Sequence, residues 1–145
     1  AVVTPSRWLA ERARASSLFA GTTVRVVPNG IDTRVFKPLD KSFCRDALGL
    51  PQDRHLILFG AFGAVTDANK GFDLFVDALA RLPNEIGGKP WTLVVFGAHR
   101  SPARLPPEID SRFLGTIADD VALALLYSAA DVMVFRSVRR TCPTR

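Results

Sequence analysis

Three uninterrupted apolar runs constrain this chain more than any other feature: Leu56-Ile57-Leu58-Phe59, Leu93-Val94-Val95-Phe96 and Val132-Met133-Val134-Phe135. A strand with one wet face alternates apolar and polar residues. A strand that is apolar throughout must be covered on both faces, which is the situation inside a parallel sheet. Between the first two runs, Phe72, Phe75, Ala78, Leu79 and Leu82 recur at helical spacing, so the stretch reads as a βαβ unit. Arg112-Phe113-Leu114 gives a further brief strand, and Asp119 caps a helix running to Ala129 ahead of the last run. The expected fold is therefore α/β, a parallel sheet with helices on both faces. Sheets of this kind bind ligands beyond the carboxyl ends of their strands. The loops after Phe59, Phe96, Leu114 and Phe135 are accordingly the ones to search.

Upstream, Ser6 reads as the cap of a helix through Trp8, Leu9 and ERARASS, closed by Gly21. Val24 to Val27 is a short extended run stopped by Pro28-Asn29-Gly30, the stretch to Pro38 reads as a connection, and residues 41–49 read as a short helix starting from Ser42.

Composition narrows the function classes. The 145 residues are 48% hydrophobic and 23% charged, as in an ordinary globular domain. No apolar run approaches the roughly 20 residues of a bilayer span, and the first residues do not read as a secretory signal. The net charge of +5 sits at one end. Arg136, Arg139, Arg140 and Arg145 fall in the last ten positions, and removing them from the 19 basic residues leaves 15 against 14 acidic ones. A nearly neutral body with a basic end does not resemble a nucleic-acid binder, which spreads its cations over a face or stripe. Cys44 and Cys142 lie far apart, without the spacing of a zinc site or a disulfide framework, and Cys44 reads as a small apolar filler.

The first searched loop is Gly60-Ala61-Phe62-Gly63-Ala64, followed by a run that ends in Lys70-Gly71 at the start of the next helix. Glycines permit close backbone approach, and free amides with a lysine at a helix start attract phosphate. Lys70 fits a solvated lysine equally well. The glycines do not spell GxGxxG, and Lys70 is not in a GxxxxGK[ST] context, so neither dinucleotide nor P-loop binding is indicated. His99 and Arg100 follow the second strand, where they could touch phosphate or sugar hydroxyls or form a plain surface pair. Gly115-Thr116-Ile117-Ala118 follows the third strand and could present backbone groups to a base, or be an ordinary strand-to-helix turn. Asp73 and Asp77 read as the solvated face of their helix. No metal-ligand cluster, Ser/His/Asp set or paired carboxylates can be read.

Taken in order, VVTPSRWLAERARASSLF, VRVVPNGIDTRVFKP, LILFGA, NKGFDLFVDAL, WTLVVFGA and FLGTIADDVALALLYSAADVMV resemble the retaining family-4 glycosyltransferases of the GT-B fold. The segment PNGID-x-x-x-F-x-P is the most specific piece. The resemblance implies that residues 1–22 end an N-terminal acceptor domain, 23–40 form an interdomain linker, 41–137 are a partial Rossmann-like nucleotide-sugar-binding domain with an incomplete parallel sheet, and 138–145 are an off-pattern basic tail. It implies a fragment of a cytoplasmic enzyme of polysaccharide biosynthesis, whose full-length form can sit peripherally at the inner membrane face. The enzyme would move a hexose from a UDP- or GDP-linked sugar to a saccharide or lipid-linked acceptor, with no separate cofactor and no metal. Lys70 matches the lysine that binds the donor diphosphate in the family, and Gly60, with Ala61 and Gly63 beside it, matches the first loop. Thr116 and Ile117 lie where the family contacts the base, and Tyr127 occupies an aromatic position best explained by packing.

Two departures stand out. Ala64 replaces the family's arginine, and after Phe135 the expected Pro-Ser and E-x7-E segment does not appear. One legal codon choice for Val138 to Arg145, read two bases later, gives Gln-Glu-Asn-Leu-Pro-Asn-Thr, so a frameshift is the expected origin of the tail. The chain by itself is expected to be marginally stable and catalytically inactive, and at most a nucleotide-binding remnant.

Overall fold

The described residues of all three apolar runs lie in neighbouring strands of one sheet. The computed structural model describes residues 1–60, 71–100 and 105–134, and the chain divides into two units, Ala1–Arg34 and Val35–Arg145.

In the first unit, β1 (Val2–Thr4) and β2 (Val24–Val26) pair in parallel, Val2 opposite Val24 and Thr4 opposite Val26, with helix α1 (Arg7–Arg14) between them in sequence. The strand β1 is not signalled by the sequence pattern, because three residues are too few for a period. Ser6 caps α1 as expected, its hydroxyl accepting from the Leu9 amide at 3.2 Å. The helix ends at Ala15 rather than running to Gly21, because Ser16 accepts from the Leu18 amide and starts a separate 3-10 turn, Ser17–Phe19. Ala10 is fully buried, and the Arg14 guanidinium donates to the Val24 carbonyl at 3.1 Å, tying helix to strand.

In the second unit, α2 (Lys41–Ala47) begins one residue earlier than the reading from Ser42. Asp40 is its cap, with a carboxylate accepting from the Phe43 amide at 2.8 Å. The sheet contains β3 (His55–Gly60), β5 (Lys89–Phe96), β6 (Ser111–Phe113) and β7 (Val132–Val134), all parallel and ordered β6-β5-β3-β7. A two-residue strand, β4 (Glu85–Ile86), forms a hairpin with the start of β5. Its turn is Gly87-Gly88, both at positive φ of 61° and 77°, which is the geometry a two-residue hairpin demands.

Both faces of the sheet are covered, as continuous apolar strands require. Ile57, Phe59, Leu93 and Val95 face α3 (Phe72–Leu79) and pack on its Phe72, Phe75 and Leu79. Leu56, Leu58, Val94 and Phe96 face the other way, onto Cys44 and Leu50 and onto Leu126 and Ala129 at the end of α4 (Asp120–Ala129). The Phe59 ring stacks on Phe75 with centroids 4.9 Å apart and lies 5.2 Å from Phe72, an arrangement that adds about 1 kcal/mol per pair to simple burial. Cys44 fills space beside these residues, and burial pushes its thiol pKa up, with Asp40 adding to the effect. The register puts the carboxyl ends of β3 and β5 side by side, Gly60 opposite Phe96.

Candidate functional site at the carboxyl end of the sheet

Numbered in chain order, the four parallel strands run 3-2-1-4 across the sheet: β5 and β6 lie to one side of β3, and β7 to the other. The direction of winding reverses between β3 and β7. In doubly wound sheets the ligand crevice opens at that reversal, beyond the carboxyl ends. Gly60 stands at the mouth. A Cβ there would lie 2.6 Å from the Phe96 carbonyl oxygen and overlap the Phe96 ring, so only glycine lets the ends of β3 and β5 close together. Gly71, at φ 65°, caps α3 without any side chain of its own. The positive end of α3 is therefore left uncapped by Gly71, and only Asp73 supplies an acid in its first turn. The start of α4 is different. Asp119 accepts from the Ala122 amide at 2.7 Å, and Asp120 adds a second acid, so that helix end already holds its anion.

The loops after β5 and β6 are stitched together by backbone hydrogen bonds. Gly97 donates to the Gly115 carbonyl at 2.7 Å, and Gly115 donates to the Ala98 carbonyl at 3.1 Å. Both glycines sit at positive φ, 82° and 70°. The imidazole of His99 rests directly over Gly115: an added Cβ would meet its ring at 2.6 Å. Thr116 is exposed. Ile117 is half-buried with its side chain against the core shared by Leu58 and Leu126, which leaves its backbone as the part that can face a ligand.

Of the residues read from the sequence, Gly60, Thr116 and Ile117 therefore lie along one edge of the sheet, on the ends of β3 and β6 with β5 between them. Ala61, Gly63 and Lys70 lie outside the described residues, as do Ala64 and the tail from Phe135. Asp73 and Asp77 are exposed on α3. Tyr127 packs as expected, its ring 6.1 Å from Phe96 and 6.3 Å from Phe36. Among the described residues, no three His, Cys, Asp or Glu side chains gather as metal ligands, and no helix is long and apolar enough to cross a membrane.

The strongest polar network is at the opposite edge, and sequence reasoning missed it. Arg45 is 4% exposed. It donates to the carbonyls of Ala129 and Arg54 and to Asp131 Oδ2 at 2.8 Å. Asp131 also accepts from Lys41 at 2.6 Å and from the Leu56 amide at 2.8 Å. Partial burial works to raise the Asp131 pKa, but the Lys41 hydrogen bond, the Leu56 amide and the charges of Arg45 and Lys41 outweigh it and bring it down to about 2.

Residues 55–145 match the family model described as Glycosyl transferases group 1. The chain belongs to that family. The glycosyl transferases group 1 match begins at β3 and takes in the whole sheet. Among solved structures, sucrose-phosphate synthase from Thermosynechococcus elongatus is 26% identical, with a TM-score of 0.68 over 91% of this chain and 33% of that one. The chain thus spans about a third of the length of that protein. The C-terminal domain of a glycosyl transferase group 1 family protein from Francisella tularensis is 23% identical, with a TM-score of 0.47 over 72% of this chain and 57% of that one. No curated protein sequence matches the chain significantly. The fold is similar to that of the C-terminal domain of GT-B glycosyltransferases.

Proposed function

We propose that this chain carries the donor-binding side of a retaining family-4 glycosyltransferase, which moves a hexose from a UDP- or GDP-linked sugar to a saccharide or lipid-linked acceptor. The observation that carries the reading is the 3-2-1-4 strand order, with Gly60 at the reversal and the α3 start left without a side-chain cap. A nucleoside diphosphate leaving group develops negative charge as the bond from the sugar C1 to its terminal phosphate oxygen breaks. A fixed cation and a helix N-terminus aimed at that oxygen lower the barrier. Lys70 directly precedes Gly71 in the sequence and is the cation that the family resemblance supplies. The acceptor hydroxyl attacks C1 from the face the leaving group vacates, and its proton passes to the departing phosphate. Gly60, Ala61 and Gly63 would admit the diphosphate, and the backbone at Thr116 and Ile117 would meet the base.

A second reading is nucleotide binding without turnover, in which the same site holds the nucleoside diphosphate and moves no sugar. Titrating the full chain with UDP, GDP and ADP by calorimetry tests the shared site. Binding of UDP or GDP that falls about tenfold or more in Lys70→Ala, the worth of one charge-assisted contact, is the expected result. A chain that binds none of the three overturns the reading, and unchanged affinity in Lys70→Ala removes Lys70 from it. Hexose transfer from a UDP- or GDP-sugar then separates enzyme from remnant.

A further inference from the structure

We propose that His99 is the specificity-determining residue for the nucleoside end of the donor, an inference that rests on the donor site just described. Three observations lead there. The imidazole is exposed at the carboxyl end of β5 and rests over the bare Cα of Gly115, where an added Cβ would meet the ring at 2.6 Å. The loop carrying it is held to the loop carrying Thr116 by two backbone hydrogen bonds, so the ring and the Thr116-Ile117 backbone form one surface. Neither ring nitrogen has a hydrogen-bond partner among the described residues. A ring that rests over Gly115 with no partner among the described residues, at the ligand-facing edge of a doubly wound sheet, is a group available to a ligand.

Spacing says which part of the ligand it meets. Neighbouring strands are about 4.8 Å apart, so the junction of β5 and β6 lies roughly 5–10 Å from the end of β3. A nucleoside diphosphate with its phosphates at Gly60 and the start of α3 reaches about that far with its ribose and base. His99 then hydrogen-bonds the ribose or the edge of the base through Nδ1 or Nε2, while the diphosphate stays one to two strands away. Strand β5 ends without the carboxylate that holds a ribose in dinucleotide-binding folds, and the imidazole takes that place.

Calorimetry on the full chain, with UDP, GDP and ADP as nucleotides and pyrophosphate as a phosphate-only probe, tests this. His99→Ala is expected to weaken the preferred nucleotide about fivefold, the worth of one hydrogen bond. It should also narrow the preference among the three bases and leave pyrophosphate binding unchanged. His99→Gln, which keeps a donor and an acceptor, should recover part of the loss. Gly115→Ala displaces the ring while keeping the imidazole, and is expected to reproduce His99→Ala, with circular dichroism showing that the fold persists. A His99→Ala chain that binds the same nucleotide equally well with the same base ranking overturns the assignment while leaving the donor site intact. An equal loss for pyrophosphate and nucleotide overturns it too, because the ring then serves the phosphates. A wild-type chain that binds no nucleotide overturns both the assignment and the site beneath it.

Discussion

Replacing Asp131 by Asn should destabilise the fold by an amount that depends on pH. In the folded chain the carboxylate accepts from Lys41, Arg45 and the Leu56 amide, and its pKa falls from the ordinary 3.8 to about 2. That drop corresponds to about 2.5 kcal/mol of preference for the charged form. The side chain is 28% exposed, and solvent screening reduces the figure to about 1–2 kcal/mol. Asn keeps the shape and one acceptor, but it leaves the Arg45 guanidinium, 5% exposed, facing a neutral group. Losing a buried cation's partner costs further, so the total at neutral pH should reach about 2–3 kcal/mol. Because the folded pKa lies below the unfolded one, acid protonates the unfolded chain first. The electrostatic part is present above about pH 4 and is lost as pH falls through 3.8 towards 2. Urea unfolding of wild type and Asp131→Asn at a series of pH values from neutral down to about 2 would read this directly, as a gap between midpoints that narrows with acid. Lys41→Ala, which removes only an exposed partner, should cost about 0.5–1 kcal/mol and serves as the milder variant if Asp131→Asn leaves too little folded protein. A gap that stays constant across the range would refute the electrostatic account, and a gap near zero throughout would refute any role for the network.

Two further outcomes follow from the site edge. Gly60→Ala should cost about 1–3 kcal/mol in the same urea assay, because the new Cβ would sit 2.6 Å from a backbone oxygen of β5 that cannot rotate away; an unchanged midpoint would mean that the two strand ends do not approach as described. Asp119→Ala should cost about 1 kcal/mol through loss of the α4 cap, and should leave UDP and GDP affinity unaltered, since Asp120 still supplies a carboxylate at that helix end.

How much of this was legible beforehand depended on length and on range. The apolar runs at Leu56 and Leu93 gave both strands and their two-sided burial, since four consecutive apolar residues allow no wet face. Asp119 and Ser6 marked their helices because a cap acts three residues away and leaves a local signature. Ser42 and Asp40 could not be ranked from sequence, as both side chains can cap. The structure has Asp40 accepting from Phe43. Strand β1 and the Gly87-Gly88 hairpin were missed because two or three residues carry no period. The Arg45 and Asp131 pair is separated by 86 residues, and no local pattern records such a distance. His99 stood in one of the loops searched but gave no sign of its packing on Gly115, 16 positions later.

The same long-range geometry sorts the two ends of the sheet by chemistry. Three of the four parallel strands are preceded by a charged residue in an ion pair: Arg54 before β3, Asp110 before β6 and Asp131 before β7. Arg54 and Asp110 pair with each other at 2.7 Å, and the fully buried hydroxyl of Thr92 in β5 donates to the same carboxylate at 2.6 Å. At the carboxyl end three of the strands run instead into Gly60, Gly97 and Gly115, and among the described residues backbone amides and the His99 imidazole stand there with no ion pair. Charges tied to one another stabilise but have no capacity left for a ligand. Glycines contribute little to stability, but they let strand ends and a substrate approach closely. Substitutions at Arg45, Asp110 or Asp131 should therefore move the unfolding midpoint and leave nucleotide affinity of the folded fraction unchanged, whereas His99→Ala should do the reverse. A single variant at the amino end that altered base preference without loss of stability would break this separation.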